Sequence, residues 1–327
     1  MLVFLNLKGI VELLNVCVNF FGKNCKMIIV LFTYFSLCCP VYSEKTTRQV
    51  ISCVTTDTIS VLNSVFISLT TTGNGGAVLS EVSDSKVLIE SCAFYFCTAP
   101  STNRYGGGMY ISNAVSISLR YICGYRSYAA HSGMLYYAQS TDNTNLSVFK
   151  CSGYSCPSNS EGLAKVFCSD SGTLDVSYCN VSNSKVSMHT MIAAHGPSKY
   201  DLKFSTIINN RGNIMIEVGG YFSHSYSYLN VIDNTQHQST YGLFYSNGAI
   251  ITVYDSIIKN SHSRLIYCLN SAAITFDPSS KLNVYSSTIE LFHLNSGYCN
   301  GNAILISRNQ RYSTKMKQIY LLFLLIQ

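Results

Sequence analysis

Apolar and polar residues alternate in short runs along this chain, and the runs recur. One pattern reads apolar, any, apolar, two further residues, then a small or apolar residue. Its first copies are Ile59-Ser-Val61-Leu-Asn-Ser64, Val87-Leu-Ile89-Glu-Ser-Cys92 and Ile117-Ser-Leu119-Arg-Tyr-Ile122. Leu146-Ser-Val148-Phe-Lys-Cys151, Leu174-Asp-Val176-Ser-Tyr-Cys179 and Leu202-Lys-Phe204-Ser-Thr-Ile207 follow. The last three are Tyr226-Ser-Tyr228-Leu-Asn-Val231, Ile251-Thr-Val253-Tyr-Asp-Ser256 and Leu282-Asn-Val284-Tyr-Ser-Ser287. Successive copies start 24 to 31 residues apart. Several are followed by an asparagine column, as in Ile207-Ile-Asn209-Asn210 and Val231-Ile-Asp-Asn234.

A second column runs in phase with the first: a glycine or polar residue, then a short apolar strand. Gly76-Ala-Val-Leu79, Gly108-Met-Tyr-Ile111, Asn213-Ile-Met-Ile216 and Gly242-Leu-Phe-Tyr245 are examples. Two strands per period, separated by Ser/Asn/Gly bends, describe one coil of a solenoid. Period-two alternation turns one set of side chains inward and the polar set between them to water. The expected fold is all-β: a right-handed, single-stranded parallel β-helix of about nine coils. At roughly 4.8 Å per coil it would be about 40 Å long. No window sustains a 3.6-residue period, so a helical bundle is disfavoured. An antiparallel sandwich gives no reason for the two columns to stay in phase.

Composition then divides the 327 residues. The net charge of +6 comes from the ends. Residues 1–43 carry Lys8, Lys23 and Lys26 against Glu12, and residues 308–327 carry Arg308, Arg311, Lys315 and Lys317 with no acid. The 15 basic and 15 acidic residues between them cancel. No basic stripe remains for a nucleic-acid backbone, so nucleic-acid binding is set aside. The apolar run from Met27 to Cys39, behind Lys23 and Lys26 and before Pro40-Val-Tyr-Ser43, reads as an export signal. Met27 is the alternative start, and an uncleaved membrane anchor is the rival reading. The expected domains are a leader over 1–43, the β-helix over 44–307, and a basic then apolar tail over 308–327. Either terminus offers a route to membrane association, although the eight apolar residues from Ile319 to Ile326 fall short of a span of about 20.

Ten cysteines follow Ser43, which fits an oxidising compartment. Cys92, Cys151 and Cys179 share one position of the repeat, and Cys97 and Cys156 share another five residues on. They form either a buried thiol ladder or disulfides that staple one coil or neighbouring coils. Asn145-Leu-Ser147 and Asn180-Val-Ser182 are candidate glycosylation acceptors. Tyrosines cluster at bends, and Tyr105, Tyr125 and Tyr128 are the candidate contact surface, with stacked structural rings as the alternative.

The Gly75-Gly-Ala-Val78 and Gly106-Gly-Gly-Met109 openings, with their Phe/Ile-x-x-Asn turns, resemble the repeats of chlamydial polymorphic outer-membrane proteins. They are also similar to those of trichomonad polymorphic-membrane-protein-like surface proteins. The resemblance covers roughly 59–307 and implies a β-helix displayed on the cell surface for adhesion to host cells. The expected departure from those families is the lack of a β-barrel translocation domain, with a C-terminal transmembrane anchor absent or cut short.

Candidate chemistry is sparse. Acids are scattered singly, with no Asp-Asp pair. Three or more carboxylates converging in one groove beside Arg or Lys would mark polysaccharide cleavage. The seven histidines form no H-x-x-x-H or H-E-x-x-H, and no C-x-x-C exists, so no metal site is expected. No phosphate-binding loop or cofactor motif is present. The expectation is a secreted or cell-surface β-helix, not an enzyme, that binds a host-cell protein, matrix or glycan. A polysaccharide-acting lyase or hydrolase is the alternative, and a truncated, non-functional family member the third reading.

Overall fold

A computed structural model describes residues 41–43, 45–52, 58–139, 141, 144–157, 165–186, 190–236, 240–259 and 264–282. Every described element is a β-strand, and every pairing is parallel. Three long sheets run side by side, with ten, nine and nine strands. The first starts at Val41–Ser43 and Thr58–Leu62 and ends at Ala273–Phe276. The second holds three-residue strands such as Val65–Ile67, Ala93–Tyr95 and Cys123–Tyr125. The third stacks strands such as Met109–Ser112, Tyr136–Gln139, Phe167–Asp170, Thr190–His195 and Ile214–Gly219. The chain is a parallel β-solenoid.

Each coil follows the alternation. In the first sheet Ile59, Val61, Ile89, Leu119 and Val148 are buried, while Lys86, Asn145 and Thr58 at the strand starts are exposed. One residue in the left-handed region then turns the chain: Asn63, Ser91, Tyr121, Lys150, Tyr178, Phe204 and Tyr228 all have φ between 48° and 56°. Next comes an inward residue (Ser64, Cys92, Ile122, Cys151, Cys179 or Ser205), and then the short second-sheet strand. A second left-handed residue ends that strand, at Phe96, Arg126, Ser155, Asn183, Asn209 and Asp233. Inside this second bend the asparagine column closes its own hydrogen bonds. Asn210 Nδ2 donates to Val181 O at 2.8 Å, Asn234 Nδ2 to Ile207 O at 2.8 Å, and Asn210 N to Asn234 Oδ1 at 3.0 Å. A buried amide column satisfied this way avoids the cost of unpaired polar groups.

Three expectations about the coils are corrected. Each coil has three strands where two were expected, because a three-residue strand is too short to declare a period. The chain makes about seven full turns from Thr58–Leu62 to Ile250–Tyr254, so nine coils overstates the regular solenoid. The copy expected at Leu282 is out of place: Ala273–Phe276 follows Ile250–Tyr254 in the first sheet, and Lys281–Leu282 joins the second. Val41–Ser43, expected in the leader, pairs in register with Ser60–Leu62. The proposed signal run and the C-terminal tail lie outside the described residues. Among the described residues no helix is long and apolar enough to cross a membrane.

Candidate functional site on the third sheet

The third sheet has a buried inner face, with Met109, Ile111, Tyr136, Ala138 and Phe167 in the core. Its outer face is unusual. Parallel register aligns Tyr110, Tyr137, Cys168, Ala193, Glu217 and Tyr245 in one outward row. Two residues along, Ser112, Gln139, Asp170, His195 and Gly219 form the next. Tyr110, Tyr137, Cys168 and Ala193 make a satellite apolar cluster outside the main core, with Leu79 and Tyr105 packed against it. Tyr110 and Tyr137 stack with centroids 5.6 Å apart and planes 2° from parallel. Tyr105 closes over Tyr137 at 4.6 Å and His131 at 4.7 Å.

Beside this cluster lies a charged network. His195 Nδ1 is 3.0 Å from Asp170 Oδ1, and its Nε2 is 3.2 Å from Glu217 Oε1. Glu217 reaches the ring diagonally because Ala193, its register partner, is small. Tyr137 donates its hydroxyl proton to Asp170 Oδ2, and Tyr110 donates to Gln139 Oε1 at 2.8 Å. The largely buried Lys165 brings Nζ to 2.7 Å from His195 Nε2.

Burial alone would lower the pKa of His195. The hydrogen bonds to Asp170 and Glu217 outweigh it and hold the imidazole up at about 9. Asp170 is raised by burial but lowered more by the donors His195 and Tyr137, so it sits below the usual carboxylate range. Burial and the Asp170 acceptor push the Tyr137 phenol well up, and burial pushes up the Cys168 thiol. The 2.7 Å approach of Lys165 suits only the neutral ring protonated on Nδ1. When the ring is an imidazolium, two donors face each other at that distance.

Two carboxylates, an imidazole and an ammonium therefore converge, one carboxylate short of the signature of polysaccharide cleavage. Such a set can hold and move a proton, or bind a polar ligand. Cys168, Asp170 and His195 also bring one metal-ligating atom each within 4.8 Å of one another. No linear motif announces this set, because Cys168 and Asp170 lie one coil before His195. The available signal was the shared outward parity of those strands.

The residues singled out from sequence fall elsewhere. Cys92, Cys97, Cys151, Cys156 and Cys179 are buried and free. Cys92 Sγ donates to Val61 O at 3.5 Å and Cys97 Sγ to Phe66 O at 3.6 Å. Cys123, at a second-sheet position, is disulfide-bonded and stands outside this set. Asn145 is exposed at a strand start, whereas Asn180 is 4% exposed, which leaves its amide no room for a glycan in the folded chain. The three tyrosines belong to two faces. Tyr105 covers the third-sheet cluster, Tyr125 stands in the second sheet between Tyr95 and Tyr154, and Tyr128 pairs with Thr98 in the adjoining bend. His189, His237, His262, His293, Cys53 and Cys299 lie outside the described residues.

No protein family, curated protein or solved structure matches this chain.

Proposed function

We propose that the chain is a secreted or cell-surface β-solenoid, wound right-handed, that binds a host-cell protein or glycan through an outer face. One observation carries this reading: the outward row of the second sheet stays apolar across four coils. Ile67, Tyr95, Tyr125 and Tyr154 are register partners, and Ile67 is 57% and Tyr154 40% exposed. Phe96 is 41% exposed beside them, and Arg126 places its guanidinium 5.2 Å from the Tyr125 ring and 5.8 Å from Phe96. Hydration alone calls for polar side chains on such a ledge. Aromatic and arginine side chains on a rigid backbone are the composition of a contact surface. The resemblance to chlamydial and trichomonad surface repeats supports the same reading, as does the apolar run before Pro40. Surface labelling of native cells, with binding of the purified chain to host cells and glycan arrays, tests it. Binding is expected, with Tyr125→Ala/Tyr154→Ala weakening it at least about tenfold at unchanged circular dichroism. Folded wild-type protein that binds neither cells nor glycans overturns the proposal.

The Asp170–His195–Glu217 network favours one second reading, a polysaccharide-acting enzyme. Release of reducing or unsaturated ends from acidic polysaccharides, abolished by Asp170→Asn, would establish it. Inactivity across neutral and acidic polysaccharides would dismiss it.

A further inference from the structure

We propose that the outer face of the third sheet is a zinc-type divalent metal site, with Cys168, Asp170 and His195 as ligands and Glu217 orienting the imidazole. The inference stands apart from what the solenoid binds, and neither proposal needs the other.

The backbone fixes the geometry. Cys168 and Asp170 are two residues apart on one strand, so both point outward, and His195 is the register partner of Asp170 on the next. Their ligand atoms already lie within 4.8 Å of one another. Tetrahedral zinc, with bonds of about 2.0–2.3 Å, needs ligand atoms roughly 3.3–3.8 Å apart. A side-chain adjustment of about 1 Å therefore closes the set without moving the sheet.

Chemistry selects the metal class. One sulfur, one nitrogen and one oxygen donor suit zinc, whereas calcium and magnesium call for oxygen shells. A thiolate, Asp170 and Glu217 carry three negative charges against two on the ion and one on Lys165. Binding expels the Cys168 proton to solvent, and no redox step is involved.

The surroundings are those of a supported site. Tyr137 holds Asp170 Oδ2, which leaves Oδ1 facing His195 Nδ1. When Nδ1 takes the metal, Nε2 carries the ring proton and Glu217 Oε1, 3.2 Å away, accepts it, which displaces the Lys165 ammonium from its 2.7 Å contact with Nε2. That carboxylate–histidine–metal relay fixes the tautomer. Cys168 is fully buried, whereas the His195 side chain is 36% exposed, so the ion enters from the His195 side. The fourth position falls to water or to a group on a bound ligand.

The test uses the full chain, stripped with chelator and titrated with Zn²⁺ by calorimetry and with Co²⁺ by absorption. The expected result is one ion per chain, with Co²⁺ giving a near-ultraviolet thiolate charge-transfer band. Cys168→Ser loses that band, Cys151→Ser keeps it, and Glu217→Gln weakens Zn²⁺ affinity about tenfold. Absence of binding, or a charge-transfer band that survives Cys168→Ser, overturns the proposal. Should Cys168→Ser not fold, calorimetry on Asp170→Asn decides instead. At least about tenfold weaker Zn²⁺ binding is expected there, and unchanged affinity rejects the site.

Discussion

Asp170 and His195 face each other across adjacent coils of the third sheet, with Oδ1 3.0 Å from Nδ1 although the residues are 25 apart in sequence. The other carboxylate oxygen is held by the Tyr137 hydroxyl from the preceding coil. Three consecutive coils are thus tied together outside the core. A hydrogen bond to a charged acceptor contributes about 1.5–3 kcal/mol, against roughly 0.5–1.5 for a neutral pair. Tyr137→Phe should therefore cost about 2 kcal/mol in urea unfolding. Tyr110→Phe, which loses only its bond to Gln139, should cost about 1 kcal/mol. The opposite ranking would mean that the Asp170 network adds little to coil stacking.

The thiols give a second prediction. Burial pushes Cys92, Cys97 and Cys156 up to about 12, and Cys151 and Cys168 rise for the same reason. The thiolate is the reactive form, so these groups are doubly protected, by access and by protonation. Among the described free cysteines only Cys268 is half-buried. Native alkylation near neutral pH should label Cys268 first and leave the other six until the chain unfolds. Early modification of Cys151 or Cys179, followed by peptide mapping, would mean that the ladder opens locally.

Periodicity made the solenoid, the inward cysteine column and the asparagine column legible, because each is a repeat in the chain itself. It failed where two alignments share a parity. Leu202/Phe204 and Tyr226/Tyr228 read as inward pairs, yet the inward pairs are Tyr200/Leu202 and His224/Tyr226. A slip of two residues preserves alternation, so pattern alone cannot reject it. Phe204 and Tyr228 are the left-handed bend residues, and their rings stack outside at 4.8 Å, with Tyr178 at 4.9 Å from Phe204. Stacking between coils is what places aromatics where bends ordinarily favour Asn or Gly. The Asp170–His195–Glu217 site was illegible for a related reason. Its members share no local spacing, and only the coil register brings them together.

The glycine column yields a graded prediction. A Cβ at Gly107 would lie 2.4 Å from both the Met134 and the Tyr128 carbonyl oxygens, so neighbouring coils meet there backbone to backbone. At Gly73 the nearest heavy atom is the Thr71 hydroxyl at 3.7 Å, and φ is ordinary. Gly107→Ala should cost more than about 3 kcal/mol or abolish folding, while Gly73→Ala stays within about 0.5 kcal/mol of wild type. Thermal unfolding of the two variants side by side checks the difference. Equal effects would contradict the close approach of the coils.

His224 occupies an inward position of the first sheet, next to Ile251 in register and beside Tyr200, whose backbone N–H donates to Nδ1 at 3.1 Å. Nδ1 is an acceptor, so the neutral ring carries its proton on Nε2, and Nε2 is buried without a partner. Burial pushes the imidazole down to about 4, against a weaker upward pull from Asp201. Between about pH 4 and 6.5 the unfolded chain then binds a proton that the folded chain refuses, so stability falls as pH falls. Lowering the pH from about 7 to about 5 should remove roughly 2 kcal/mol through this residue. His224→Leu keeps the buried volume without a titrating group. The wild-type loss of urea stability over that interval should exceed the variant's by the same amount. Parallel pH profiles for the two proteins would show that His224 accepts its proton inside the folded solenoid, and that the wall of the first sheet admits water there.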